Sequence, residues 1–391
     1  MNARLRVQQK ATRHGQRIQN RRLVLQSVVA DAPISRADIV RATGLTAASV
    51  SAIVADLEGE GLVVELGTGP SAGGKPPTLY GLNAGARSVI TVDLSDGERT
   101  GSVLDLKGAP LYKADRSRDA LQGQPGIERL MQLIDELITT APAPPLGIGI
   151  GTPGVIAENG AVVEASFFDW HDVPLGTLLA ERYALPVHII NNSRAAALAE
   201  YSFGGHEAEN LLVVKIGNGV GAGVVLDGRI HSGEDSAAGE IGHVVVDPNG
   251  APCFCGKSGC LETVAAAPRL LEGFSQFIAI RSESLVEGMD QAAEAATAGE
   301  PGVLKTIDEA ARNLARVLST TVAILDIHKV VITGVVARLG DPFLDRLKDQ
   351  IEKGVLPTLA AKLELCWGRT EDRAVRMGAA ALVTSQELGV V

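Results

Sequence analysis

Aromatic side chains are scarce in this 391-residue chain: two Trp, four Tyr and seven Phe, 3% in all. A core without them must rest on Ala, Val and Leu, and the 44 glycines point to many tight βα turns. No apolar run approaches the roughly 20 residues that a membrane-spanning helix needs. The N-terminus also lacks the apolar stretch of a signal peptide. Four cysteines, three of them clustered, do not resemble a disulfide framework, so a reducing cytoplasm is the expected setting. Acidic residues are missing from the first 30 positions, which carry Arg4, Arg6, Lys10, Arg13, Arg17, Arg21 and Arg22. Residues 1–76 hold a net charge of +4 and the rest −14. A basic head on an acidic body implies a polyanionic partner at one end; the alternative is a merely solvated N-terminus. The remainder is ordinary: 46% hydrophobic and 21% charged residues, enough for about two to three globular domains.

What is present in concentrated form is residues 239–262, GEIGHVVVDPNGAPCFCGKSGCLE. Cys253, Cys255 and Cys260 fall within eight positions, and His243 lies ten positions before the first. Three thiolates and one imidazole make the closed set of four that a tetrahedral structural zinc needs. The alternative is a group of buried free cysteines, but C-x-C-x4-C among Gly, Pro and Asn is loop chemistry rather than an apolar core run. Glu240 and Glu262 bracket the cluster.

Taken in order, residues 18–30 show helical spacing of apolar positions, ended by Pro33. Ser35 is a predicted N-cap with Asp38 at N3, Arg36 in the first turn and Gly44 at the end. Thr46 caps a second helix through Glu60, with Val50, Ile53, Val54 and Leu57 inward and Thr46, Ala47, Ser49 and Ser51 outward. This is the helix-turn-helix pattern; the alternative is an ordinary αα-hairpin. Two strands around a Gly/Pro/Ser-rich loop with Lys75 at its tip would form a wing. The expected DNA contacts are Arg36, Thr46, Ala47, Ser49, Ser51 and Lys75. From Ser88 the texture becomes α/β, with Gly-rich strand ends at 146–154, 211–217, 222–228 and 330–334. Predicted helices cover 124–140, 302–327, about 342–355 and a last one from Arg373. No internal repeat of identical motifs is evident.

On these residues the chain resembles the ROK family (repressors, open reading frames and kinases) over nearly its whole length. It is most similar to the branch with an N-terminal winged helix-turn-helix, the xylose, N-acetylglucosamine and glucose-type repressors. Residues 239–262 carry the family signature nearly unbroken, and GIGIGTPGVI, NNSRAAALAE and IGNGVGAGVVLDG follow in family order. The resemblance implies an α/β chain: a winged helix-turn-helix at 1–82, then a two-lobed actin-like ATPase (ribonuclease H-like) fold. Its lobes would be 83–190, completed by a C-terminal helix at 373–391, and 191–372 with the zinc loop. It also implies zinc on His243, Cys253, Cys255 and Cys260. Sugar contacts implied by the resemblance are Gly154, Asn191, Asn192, Glu240, His243 and Glu262.

The catalytic residues of the family's kinases fare worse. Asn192 stands where they carry the general-base Asp, and an amide cannot take the proton at neutral pH. The family's D-x-G-G-T-K phosphate motif reads Asp93 then LSDGER, without paired glycines. The G-T-G motif reads Gly217-Asn218-Gly219, and a nucleoside-side Gly-Gly reads Gly334-Val335. A P-N-L segment of sugar-binding relatives is replaced by Ser166-Phe167-Phe168. The expectation is a cytoplasmic sugar-responsive repressor of carbohydrate metabolism genes that binds zinc but not ATP. It would act as a homodimer or dimer of dimers on double-stranded operator DNA. The rival reading is an ATP-dependent sugar kinase; a sensor controlled by a protein partner is a third.

Overall fold

A computed structural model describes residues 13–70, 76–95, 99–116, 122–282 and 284–390. Lys75, Arg4, Arg6, Lys10, Asp96 and Glu98 lie outside the described residues. The chain begins with α1 (Arg13–Ala30), β1 (Ile34–Ser35), α2 (Arg36–Thr43), α3 (Ala47–Gly59), β2 (Val63–Thr68) and β3 (Thr78–Leu82). Ser35 and Asp38 form the expected capping box, Gly44 is left-handed at φ 68°, and Thr46 caps α3. The chain turns by 118° between α2 and α3, within the helix-turn-helix range. Val50, Ile53, Val54 and Leu57 are buried as expected. The strands join in the order β1-β3-β2.

Next come β4 (Ser88–Asp93), β5 (Arg99–Leu104), β6 (Pro110–Arg116), α4 (Gly123–Thr140), β7 (Pro145–Thr152), β8 (Val155–Ile156), β9 (Val162–Ala165), β10 (Trp170–Val173), α5 (Leu175–Tyr183) and β11 (Val187–Asn191). The first large sheet runs β6-β5-β4-β7-β11, antiparallel on the β5 and β6 side and parallel on the other. Helix α6 (Asn192–Phe203) leads into β12 (Leu211–Ile216), β13 (Val220–Leu226) and β14 (Arg229–His231). After the cysteine loop follow α7 (Glu262–Ala265), α8 (Ala267–Phe274), α9 (Leu285–Thr297), α10 (Pro301–Leu325), β15 (Lys329–Thr333), α11 (Asp341–Gly354), α12 (Pro357–Ala360), β16 (Glu364–Trp367) and α13 (Ala374–Leu388). The second large sheet runs β14-β13-β12-β15-β16. In strand order and direction it repeats the first. This duplicated sheet is the two-lobed actin-like fold.

Helix α6 lies on β12 and β13 of the second sheet, α13 lies on β4 and β7 of the first, and the two helices pack along each other. Small residues allow this: a Cβ on Gly149 would stand 2.5 Å from the Ala379 carbonyl, and one on Gly223 2.7 Å from that of Ser193. The N-terminal core does not stop at β3. Val24, Leu25, Ile39, Val54 and Tyr80 share one cluster with Val89, Leu104, Ala380, Val383 and Val390. Gln26 Nε2 donates to the Gly389 carbonyl at 2.7 Å, and Arg22 Nη2 to that of Gln386 at 3.3 Å. The end of α13 is thus seated against α1.

Candidate functional site

Between the lobes lies a cavity of about 590 Å³ lined from both sides, by Gly154, Glu164 and Phe167 of the first and by Lys215, Glu240, His243 and Glu262 of the second. Strand β7 ends in a turn at Gly154, φ 96°, where a Cβ would run into the Glu164 carbonyl. Asn191 closes β11 and caps α6: its Oδ1 accepts the Ser193 and Arg194 N–H groups at 2.9 and 3.2 Å. Its Nδ2 donates to the Gly154 carbonyl at 2.9 Å and to Glu240 Oε1 at 3.3 Å. Both ends of this amide are engaged by protein, so Asn191 sets the positions of the turn and the carboxylate. Asn192 Nδ2 donates to Ser95 Oγ at 3.2 Å, bridging α6 to the loop after β4.

The loop of residues 239–262 supplies the opposite wall. Backbone bonds brace it: Cys253 N–H to Lys257 O, Gly259 N–H to Ala251 O and Leu261 N–H to Val244 O, each 2.8 Å. Glu262 Oε2 accepts the Val220 N–H at 3.2 Å. Burial holds the Glu240 carboxyl above the usual range, His243 and Arg194 opposing and Glu262 adding to it. Arg194 itself is buried near Glu240, its Nε without a partner among the described residues. The ligand atoms of His243, Cys253, Cys255 and Cys260 lie within 4.8 Å of one another. Cys253 Sγ is 3.5 Å from His243 Nδ1, and Cys255 Sγ is 3.6 Å from Cys260 Sγ. A tetrahedral centre with Zn–S bonds of about 2.3 Å has sulfur–sulfur edges of about 3.8 Å, so the set fits zinc. Burial, then the neighbouring thiols, push the Cys260 thiol up to about 12. A dication at the centre would reverse that and take all three thiols as thiolates. His243 turns Nδ1 to the thiols and leaves Nε2 facing Glu240 Oε2 at 4.0 Å.

On the nucleotide-side positions, Leu94 is fully buried at the cavity wall and Ser95 donates its N–H to Asp93 Oδ1 at 2.7 Å. Val335 packs against the second-lobe core beside Gly334. Lys215 lies 9% exposed on β12 and also lines the cavity. Sequence reasoning passed over it, although a lysine inside LLVVKIG is a visible signal.

At the N-terminal end, Thr46, Ala47 and Ser51 are exposed and Ser49 is half-buried. Arg36, its side chain 41% exposed, pairs with Glu58 at 3.1 Å and stacks 5.0 Å above the Tyr80 ring. Arg17 and Arg21 pair with Asp56 and Glu60 at the end of α3. Part of the basic charge near the N-terminus therefore holds α1 to α3. No single described helix is long and apolar enough to cross a membrane.

Residues 89–386 match the ROK family, and the chain belongs to it. A xylose repressor of Caldicellulosiruptor bescii is 30% identical over 383 residues, covering 94% of this chain and 96% of that protein. A glucokinase of Thermotoga maritima is 31% identical over 308 residues, covering 75% of this chain and 96% of the kinase. Among solved structures, a ROK family transcriptional regulator described as a homolog of the E. coli MLC protein superposes with a TM-score of 0.83. It is 26% identical and covers 96% of this chain and 98% of that one.

Proposed function

We propose that this chain is a cytoplasmic, sugar-responsive transcriptional repressor of carbohydrate metabolism genes that senses its ligand without phosphorylating it. The observation that carries this is coverage. The repressor aligns through the helix-turn-helix as well as the lobes, whereas nearly the whole glucokinase aligns to three quarters of the chain. The division of labour we propose is DNA binding in 1–82 and sensing between the lobes, 83–190 and 191–372. Helix α3 would enter the major groove with Thr46, Ala47, Ser49 and Ser51, and Lys75 would reach from the wing. Zinc on His243, Cys253, Cys255 and Cys260 would fix the wall that presents Glu240, His243 and Glu262 to sugar hydroxyls. Gly154, Asn191 and Asn192 complete that pocket, Asn191 by holding Glu240. An amide at Asn192 supports binding without general-base catalysis.

The α6–α13 pair offers the route from sugar to DNA. Helix α6 begins at the cleft, α13 packs along it, and the end of α13 meets α1. Ligand must favour one lobe arrangement; a hundredfold preference corresponds to about 2.7 kcal/mol. A gel-shift titration with promoter DNA and a panel of sugars tests the reading. Failure to form any salt-sensitive complex with its own promoter region would sink it.

A further inference from the structure

Of the seven phenylalanines, Phe168, Phe274 and Phe343 are at most 1% exposed and Phe277 is 47% exposed, but the most exposed are Phe167 at 55% and Phe254 at 86%. Both line the interlobe cavity. Phe167 follows β9 in the first lobe, and Phe254 sits between Cys253 and Cys255 in the second. The Phe167 ring stands edge-on to Phe168 at 5.3 Å, and Phe168 leans on the buried Trp170 at 5.0 Å. Phe254 stands on a turn closed by backbone bonds from Cys253 N–H to Lys257 O at 2.8 Å and from Gly256 N–H to Cys253 O at 3.0 Å. Burial orders the cavity: Asn191 is 7% exposed, the Glu240 and His243 side chains about a third, and the two rings most of all. Asn191, Glu240 and His243 are thus less exposed than the two rings, in a lining that also holds the buried Leu94 and Val220 and the exposed Ser166.

We infer that the effector is a glycoside whose sugar ring binds the inner polar groups and whose aglycone is a second ring held between Phe167 and Phe254. The inference rests on the cleft being the sugar site. A lone monosaccharide would satisfy the carboxylates and leave both rings in water. A second ring with an apolar face, whether of another sugar or of an aryl group, covers them. Space allows it: the cavity of about 590 Å³ falls within the roughly 300–1,000 Å³ of pockets that enclose ligands larger than one sugar ring. Because the rings come from different lobes, a ligand touching both would also bridge them. A free monosaccharide touching only the inner wall would not.

The test is calorimetric titration of the zinc-loaded full chain. The probes are the free sugars, methyl glycosides, phenyl glycosides and disaccharides of glucose, galactose, mannose, xylose and N-acetylglucosamine, the glycosides in both anomeric forms. The expected result is that, for one pyranose, the phenyl glycoside or disaccharide binds about tenfold tighter than its methyl glycoside. Phe167→Ala and Phe254→Ala should each cut that preference to about threefold and the double variant abolish it, with methyl glycoside affinity unchanged. Phe254→Leu, with zinc content measured, separates loss of the ring from damage to the loop. A preference for disaccharides alone identifies a sugar aglycone, and one for phenyl glycosides alone an aryl one; both support the inference. Equal affinities, or tightest binding of the free monosaccharide with operator release intact, overturn it and leave the sensing reading standing. No binding and no operator release across the panel overturn both.

Discussion

The two large sheets have the same strand order and directions, yet their first hairpins differ. In the second lobe, β12 and β13 pair from Ile216 to Val220 across three residues, Gly217-Asn218-Gly219. In the first, β4 and β5 pair from Asp93 to Thr100 across six. There Leu94 is fully buried and Ser95 nearly so, the latter tied to Asp93 and Asn192. One hairpin turns in three residues, two of them glycine; the other takes six and buries Leu94 and Ser95 beside the strand end. The comparison teaches that a duplicated scaffold can carry different hairpins and keep its architecture on both sides. Fold and chemistry are specified by different residues.

The largest expected effect concerns the cysteine loop, which only the second lobe carries. Chelation of zinc, or Cys260→Ser, should cost on the order of 5 kcal/mol and lower the melting temperature by about 10 °C. Calorimetry on metal-loaded and metal-free protein measures this, and identical melting would end the structural role for zinc. Next, matched valines probe the two sheets. Gly149→Val pushes against Ala379 of α13, and Gly223→Val against Ser193 of α6. Each should destabilise by about 3 kcal/mol. The first should also weaken operator binding. The second should spare operator binding and blunt the response to ligand. Loss of both functions in both variants would mean that the lobes are not separable.

A smaller effect is expected at the junction between α6 and the second sheet. Glu200 is fully buried and accepts the Arg369 and Thr370 N–H groups at 3.0 and 2.9 Å, as well as the Thr370 hydroxyl and His206. Burial raises its carboxyl, but these donors outweigh it and hold it below the usual range. A depressed pKa gives stability that is full above the unfolded value, about 4.3, and lost as pH falls through the folded one. Glu200→Gln should therefore cost about 2 kcal/mol at neutral pH, and the gap from wild type should narrow in acid. Urea titrations at two pH values check the sign. The smallest effect is a null one. Asn192→Asp restores a base but not the hairpin at 94–99, so turnover of ATP should stay far below about 1 s⁻¹. A coupled ADP assay showing real turnover would break the comparison.

Much of the fold was legible because strong local signals agree with it. The Ser35–Asp38 box, the Gly44 stop and the Thr46 cap fixed α2 and α3 from sequence. Long amphipathic helices such as α4 and α10 were equally plain. The small β8–β9–β10 sheet was missed because its strands are two to four residues long, too short for alternation to register. The repeated strand order was invisible because topology is set by apolar pattern, which the lobes satisfy with unrelated residues. In the cleft, the cysteine spacing pointed directly to the metal cluster. The engagement of Asn191 could not be seen: it depends on Gly154 and Glu240, 37 and 49 positions away. The pairing of Arg36 with Glu58 and its stacking on Tyr80 were likewise out of reach, the partners lying 22 and 44 positions away.

The seating of α13 against α1 has a consequence for synthesis. Ala380, Val383 and Val390 belong to the same core as Val24 and Leu25. A ribosome adding about 5–20 residues per second reaches α13 roughly 20–70 s after finishing α1. Throughout that interval the N-terminal unit lacks part of its own core. A nascent chain, or one cut short before α13, therefore cannot assemble the complete N-terminal core.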